Sequence, residues 1–367
     1  MAIVDIYKKY AQVLVEYSLQ LKPGDKFLIQ GSYLAEDLLK AVYRAALEAG
    51  AHPEFKIAMN GMEKIFYDTA SDEQLGYVSP SSKYVIKNYD ALLNVISPFN
   101  LKELQNVPPE KKQAVSIART ALNKTFMKRG AAGDLIWTLC VFPTASAAQE
   151  CDMSLQEYQD FVFNACFLNA KNPLAKWTQL RDKQQKVVNY LNKKKKIEFK
   201  SDDVDITFSA AGRKWINSAG SNNMPSGEVF TTPVEDSIQG KIRFSYPGFF
   251  MGQEIEDITL EVKNGKVVKW SAAKGQELLD KVFEIPGTRR FGEAAVGMNH
   301  GIKKFTKNTL FDEKIGGTIH MAVGAAYPET GGKNQSSVHW DLIANMGKTG
   351  KITADGKVIY SKGKFII

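Results

Sequence analysis

Residues 316–341, GGTIHMAVGAAYPETGGKNQSSVHWD, place two histidines, an aspartate and a tyrosine in one short glycine-rich segment. The chain has four histidines, and three of them, His300, His320 and His339, lie within forty positions of one another, with His52 apart. The run Thr318-Ile319-His320-Met321-Ala322-Val323 has the character of a strand. His320 there shares a face with Ala322 and Gly324, small neighbours that leave room beside the imidazole. Strand alternation through Ser336-Ser337-Val338-His339-Trp340-Asp341 puts His339 and Asp341 on one face and Trp340 on the other. An imidazole and a carboxylate two apart on a strand can reach one cation.

Imidazole nitrogen with carboxylate oxygen suits zinc, cobalt or manganese better than calcium, which takes all-oxygen shells, or copper(I), which takes sulfur. The segment by itself lacks two or three ligands. Upstream, Glu228 in SGEVFT and Glu293 in RRFGEA each follow a glycine and precede small or apolar residues, an unusual setting for a solvated carboxylate. A lone histidine on an apolar strand is as a rule a hydrogen-bonded core residue, and one His-x-Asp is a weak pattern. Two glutamates in apolar settings, two histidines and an aspartate within the last 140 residues together make the case for a metal site.

These residues carry a resemblance. The segments SGEVFTTP (226–233), RRFGEAAVGMN (289–299), DEKIGGTIHMAVGAAYP (312–328) and NQSSVHWDLI (334–343) resemble, in order, the signature blocks of the M29 family of metallo-aminopeptidases, the aminopeptidase T and aminopeptidase S group. The resemblance runs through nearly the whole chain and is most specific in its C-terminal half. It implies that Glu228, Glu293, His320, His339 and Asp341 are ligands of two divalent ions per chain, with Glu293 or Asp341 bridging. It adds Glu313 as a further ligand, although the spacing from Glu313 to His320 is longer than the family's. Tyr327, seven residues after His320, matches the family's active-site tyrosine. Glu293 is the first choice of catalytic base. A peptide substrate and a homodimer are implied as well.

Outward from this segment, 367 residues exceed what one core usually holds, so two domains are expected. With 44% hydrophobic and 24% charged residues, both should bury real cores. No apolar run approaches eighteen residues, so no membrane span is expected. The N-terminal MAIVDIYKKYAQVLVEYSLQL reads as an amphipathic helix rather than a secretory signal, which places the protein in the cytoplasm. Cys140, Cys151 and Cys166 fit no ligand or disulfide spacing. The net charge of +8 raises nucleic acid as a partner, but the clearest basic run, Lys193 to Lys196, ends a long helix, where cations complement the dipole. Nucleic-acid binding is therefore not expected.

Residues 1 to about 150 alternate helix and strand: helices near 4–20 and 35–49, and strands at 26–30, 53–58, 91–97 and 135–141. This predicts an α/β domain with a mostly parallel sheet. Gly31-Ser32 after the first strand invites a nucleotide-binding reading, but no GxGxxG or GxxxxGKS follows. Residues 145–196 read as helical, and the domains are set at 1–196 and 197–367. Strands are expected within 197–208 and at 228–233, 240–246 and 258–262, with a helix near 275–282. Asn264-Gly265 and Asp355-Gly356 are hairpin signals. The second domain is thus expected to be mostly antiparallel β (α+β) and to carry the metal site.

The expected function is a dinuclear metal-dependent aminopeptidase acting on N-terminal residues of peptides. One alternative is a non-catalytic metal-binding homologue, whose sign would be loss of Tyr327 or of the base; both are present. The other is a metal-dependent amidohydrolase or deacetylase acting on acylated amines. His300 is expected to be structural or exposed, Asn299 and Asn334 to orient ligands or form turns, and Pro328–Lys333 to be a mobile loop or a plain connection.

Overall fold

The computed structural model describes residues 3–367, with side chains from residue 5; the first two residues of the expected 1–196 domain lie outside those described. In chain order the strands are β1 (Lys26–Ser32), β2 (His52–Ala58), β3 (Ala91–Ile96), β4 (Ile136–Val141), β5 (Lys196–Lys200), β6 (Val204–Ser209), β7 (Ile216–Ser218), β8 (Asn223–Met224), β9 (Glu228–Thr231) and β10 (Gln239–Phe244). They continue as β11 (Gly248–Phe250), β12 (Gln253–Ile255), β13 (Ile258–Lys263), β14 (Lys266–Ser271), β15 (Phe291–Gly297), β16 (Thr318–Gly324), β17 (His339–Asn345), β18 (Lys351–Ala354), β19 (Lys357–Ser361) and β20 (Lys364–Phe365). The chain divides into two compact units, one of residues 1–175 and 220–225, the other of residues 176–219 and 226–367.

The first unit is α/β. Its sheet runs β2-β1-β3-β4-β8 with every neighbouring pair parallel. Phe27, Ile29, Ala91, Leu93 and Cys140 are fully buried on its strands, as expected where helices cover a parallel sheet. The helix at the N-terminus is α-helical over Ile3–Gln12 and widens to π-helical turns over Val13–Ser18, where five residues are buried. Cys140 and Cys166 flank the buried Tyr10, and burial pushes both thiols up, that of Cys166 to about 12, so they stay protonated.

The second unit is two large antiparallel sheets and the short antiparallel pair β11-β12. One runs β14-β13-β10-β6-β5-β18-β19-β20, and the expected hairpins form at Asn264-Gly265 and Asp355-Gly356. The other runs β17-β16-β15-β9-β7. A single core joins them: Phe199, Phe208, Phe244 and Leu260 from the first pack with Phe291, Ile319, Met321, Val323, Trp340 and Leu342 from the second. The stretch 197–208 is two strands with a turn at residues 201–203. The basic run differs from expectation: the helix ends at Leu191, and Lys196 already begins β5. Asp355 Oδ1 accepts the N–H groups of Lys195 and Lys196 at 3.0 and 2.8 Å and draws the chain into the strand.

The helix Pro173–Leu191 ties this core to the second sheet through Gln184, which is fully buried. The two N–H groups of its Nε2 are shared among Asn217 Oδ1 at 2.8 Å, the Ser218 carbonyl at 3.0 Å and the Glu228 carbonyl at 2.8 Å. Those acceptors lie on β7 and β9, so one amide holds the outer strands of the sheet in place. Gln184→Ala removes these buried bonds and is predicted to lower unfolding free energy by about 1–3 kcal/mol in a urea titration. No change in the midpoint would show that the amide is not an anchor.

Candidate metal centre

The face of the second sheet opposite its core carries the suspected ligands. Strand pairing sets them in rows. Glu293, Ala322 and Asp341 form one row, Ala295, His320 and Ile343 the next, and Gly324 stands opposite His339. Glu228 stands opposite Gly297. Alanine or glycine thus lies beside each of the five donors on the strands, which clears the space over the sheet for the long side chains.

Glu293 reaches this face because of a β-bulge. Phe291 pairs with Val323 but Glu293 pairs with Ala322, so two steps along β15 match one along β16. Phe291 is accordingly in the core, and without the bulge Glu293 would share its side. The residue between them must be glycine, since a Cβ on Gly292 would sit 1.9 Å from the Ala325 carbonyl oxygen. Gly324 ends β16 at φ +102°, where a Cβ would meet the Val338 carbonyl oxygen at 2.0 Å.

Both histidines are oriented by backbone. His320 Nδ1 lies 3.0 Å from the Glu313 carbonyl and His339 Nδ1 lies 2.8 Å from the Ala325 carbonyl. A carbonyl can only accept, so each Nδ1 carries the hydrogen and Nε2 is the nitrogen able to coordinate a cation. His320 Nε2 faces Glu228 Oε2 and Glu293 Oε1, both at 3.5 Å, and Asp341 Oδ1 at 4.0 Å. His339 Nε2 faces Glu293 Oε2 at 3.1 Å and Asp341 Oδ1 at 3.4 Å. Glu228, Glu293 and His320 are buried. Asp341 Oδ1 and Glu228 Oε2 are buried with no hydrogen-bond donor.

The electrostatics follow from this crowding. Burial disfavours the charged form of the His339 ring, yet the Asp341 and Glu293 carboxylates override it and push its pKa up to about 11. Burial pushes Glu228 up, partly offset by Lys314 and His320. For Glu293, burial is outweighed by the hydrogen bonds of the two imidazoles, and its pKa falls. For Asp341, burial is likewise outweighed by His339, and its pKa falls. A pocket that holds protons so firmly is one that draws cations.

Two groups of donors lie close enough to share an ion: Glu293, His339 and Asp341, and Glu313, His320 and Asp341, with the donor atoms of each within 4.8 Å of one another. The orphaned oxygens, the fixed Nδ1 hydrogens and the cleared face all fit divalent cations. The structure thus brings together all six residues singled out as ligands. Glu313 joins them from the end of a short helical turn, Thr309–Asp312. Tyr327 sits at the rim, its ring centroid 4.8 Å from that of His339 and 5.4 Å from that of Phe230.

A family model described as thermophilic metalloprotease (M29) matches residues 5–365. The chain belongs to the M29 family. It is 28% identical to aminopeptidase 2 of Geobacillus stearothermophilus, covering 95% of this chain and 94% of that one. It is 26% identical to aminopeptidase T of Thermus aquaticus over 93% of each chain. The structure of wild-type AmpT from Thermus thermophilus shares the fold, with a TM-score of 0.85 over the full length of both chains at 23% identity. As a member of this family the chain is a metallo-aminopeptidase, an exopeptidase that acts on peptides with a divalent metal.

Other residues fall into place around the centre. His300 is exposed and packs over Gly316, away from the ligands. Asn299 is buried; its Nδ2 donates to the Ser226 carbonyl at 2.8 Å and its Oδ1 accepts from Gly301 N at 2.9 Å, so it holds the approach to Glu228. Asn334 instead ties the carbonyls of Gly287 and Gly324. The segment 328–333 is fastened: Thr330 is buried and bonded to Thr232, and Lys333 N donates to Glu235 at 2.8 Å. One residue escaped the sequence reading. Lys314 is fully buried beside Glu228 and Glu313, and the only sequence sign of it is a lysine between an acidic residue and an apolar strand.

Gly292→Ala is predicted to lower metal affinity by about 10- to 100-fold, the range seen when a ligand loses its support. Calorimetric titration of zinc into metal-free protein checks this, with Gly133→Ala as a distant control. Metal at about 100 times its dissociation constant should raise wild-type unfolding free energy by about 2.7 kcal/mol, read from chemical denaturation with and without zinc.

Proposed function

We propose that this centre holds two divalent cations, zinc, cobalt or manganese, and that the protein releases N-terminal residues from peptides by attack of water on the first peptide carbonyl. The supporting observation is that Asp341 belongs to both donor groups, so two cations held there share one carboxylate. In this reading Glu293 and His339 complete one position. Glu313 and His320 complete the other, with Glu228 alongside.

When bound, divalent cations supply Lewis acidity that activates water and polarises the scissile carbonyl. Glu293 stays ionised at neutral pH, takes the proton of the attacking water and passes it to the leaving amine. His320 and His339, each held by a backbone carbonyl, fix the donor geometry. Burial first, then the charges of Glu293, Asp341 and Glu228, raise the Tyr327 pKa far above its ordinary value. Its hydroxyl therefore remains protonated and donates to the oxyanion that develops on the carbonyl. The proposal extends, on resemblance alone, to a homodimer and, from the sequence pattern, to a cytoplasmic location and a catalytic domain of residues 197–367, most of which lies in the second compact unit; among the described residues no helix is long and apolar enough to cross a membrane.

The test is turnover of leucyl-p-nitroanilide by metal-stripped protein before and after cobalt or zinc. Activity should appear with metal and be absent in His339→Ala. Tyr327→Phe should lower kcat by about 100-fold or more with little change in KM, as loss of an oxyanion donor does. Cleavage of an N-acetylated dipeptide in preference to the free one would replace the aminopeptidase reading with an amidohydrolase acting on acylated amines.

A further inference from the structure

Lys314 has no part in the chemistry above, yet it borders the centre on the side of Glu228 and Glu313. Its side chain is fully buried. Its Nζ lies 3.6 Å from Glu228 Oε1 and is ion-paired with Glu313, without a well-aligned hydrogen bond to any group. Its backbone is fixed on both sides: the N–H donates to the Phe311 carbonyl at 3.0 Å, and its carbonyl accepts from Asn299 N at 3.0 Å. Ile315 next to it forms a β-bridge with Asn299. A buried charge persists only where opposite charge compensates it, and here the compensating groups are two carboxylates of the metal centre.

We propose that Lys314 is a resident cation that makes the two metal positions unequal, an inference that rests on the two-ion reading above. The position formed by Glu293, His339 and Asp341 contains neither carboxylate that Lys314 pairs with. The position formed by Glu313, His320 and Asp341, with Glu228 beside it, contains both. A dication entering the second position shares its carboxylates with a fixed ammonium, in a buried setting where like charges repel strongly. The formal charges agree. Four carboxylates and one lysine leave three negative charges; a first dication leaves one, and a second takes the centre to one positive charge. The positions therefore fill in order, the Glu293 side first, and the second ion is the one lost when metal is scarce. Lys314 is a positioning residue in this account, acting through Glu228 and Glu313.

The experiment is calorimetric titration of zinc into metal-free full-length wild type, Lys314→Met and Lys314→Arg, with folding of each checked by circular dichroism. Wild type should bind in two stages, the second weaker by about tenfold or more. Lys314→Met should tighten the second stage by about tenfold or more and shift the first by less than about threefold. Its metal-free form should melt below wild type, because Glu228 and Glu313 lose their cation, and added zinc should restore the difference. Lys314→Arg keeps the charge and should keep the weak second stage; a tight second stage there overturns the proposal even if Lys314→Met does not fold. Two equal stages in wild type, or a second stage unchanged or weakened in Lys314→Met, also overturn it while leaving the two-ion reading intact. A single stage of one ion in all three proteins removes the two-ion reading and this proposal with it.

Discussion

The centre depends on one electrostatic constraint: acceptors face acceptors in a buried space. The imidazole hydrogens of His320 and His339 are spent on backbone carbonyls, so each Nε2 presents a lone pair to carboxylate oxygens 3.1–3.5 Å away. Such an arrangement is repulsive unless positive charge lies between the groups. Protons can supply it, and that is what the raised His339 pKa expresses; divalent cations supply more of it and satisfy the orphaned oxygens of Glu228 and Asp341 as well. In the proposed reading stability and function are linked, because a divalent cation that balanced the charge would also be the catalytic group.

The sheet is shaped to meet that constraint. Its inner face is conventional, with Phe291, Ile319, Met321, Val323, Trp340 and Leu342 packed on the neighbouring sheet. Its outer face is stripped to alanine and glycine wherever a donor needs room, and the bulge at Gly292 moves one carboxylate from the core side to the donor side. Fixing ligands on strands held from behind by Gln184 and from the side by Asn299 gives the centre the rigidity that preorganised chemistry needs.

Much of this was legible from residues alone. Strand alternation placed His339 and Asp341 on one face and Trp340 on the other, and the two hairpin dipeptides marked their turns because Asn-Gly and Asp-Gly suit positive φ. The unusual glycine-glutamate pairs singled out Glu228 and Glu293. The bulge was not legible, since it exists only in the pairing of β15 with β16, and neither was β8, whose two residues join the first unit's sheet from far along the chain. Lys314 was missed for a related reason: a lysine beside a glutamate ordinarily means a solvated pair, and only the tertiary fold shows this one sealed from water. Glu313, whose spacing from His320 departs from the family's, was placed by its helical turn rather than by sequence register.

The central claim is that two cations share Asp341. Anomalous diffraction at the zinc edge from crystals of the zinc-loaded protein tests it most directly. The account predicts two peaks per chain, one among Glu293, His339 and Asp341 and the other among Glu313, His320 and Asp341. A lone peak at full metal loading, or metal bound away from Asp341, would contradict it.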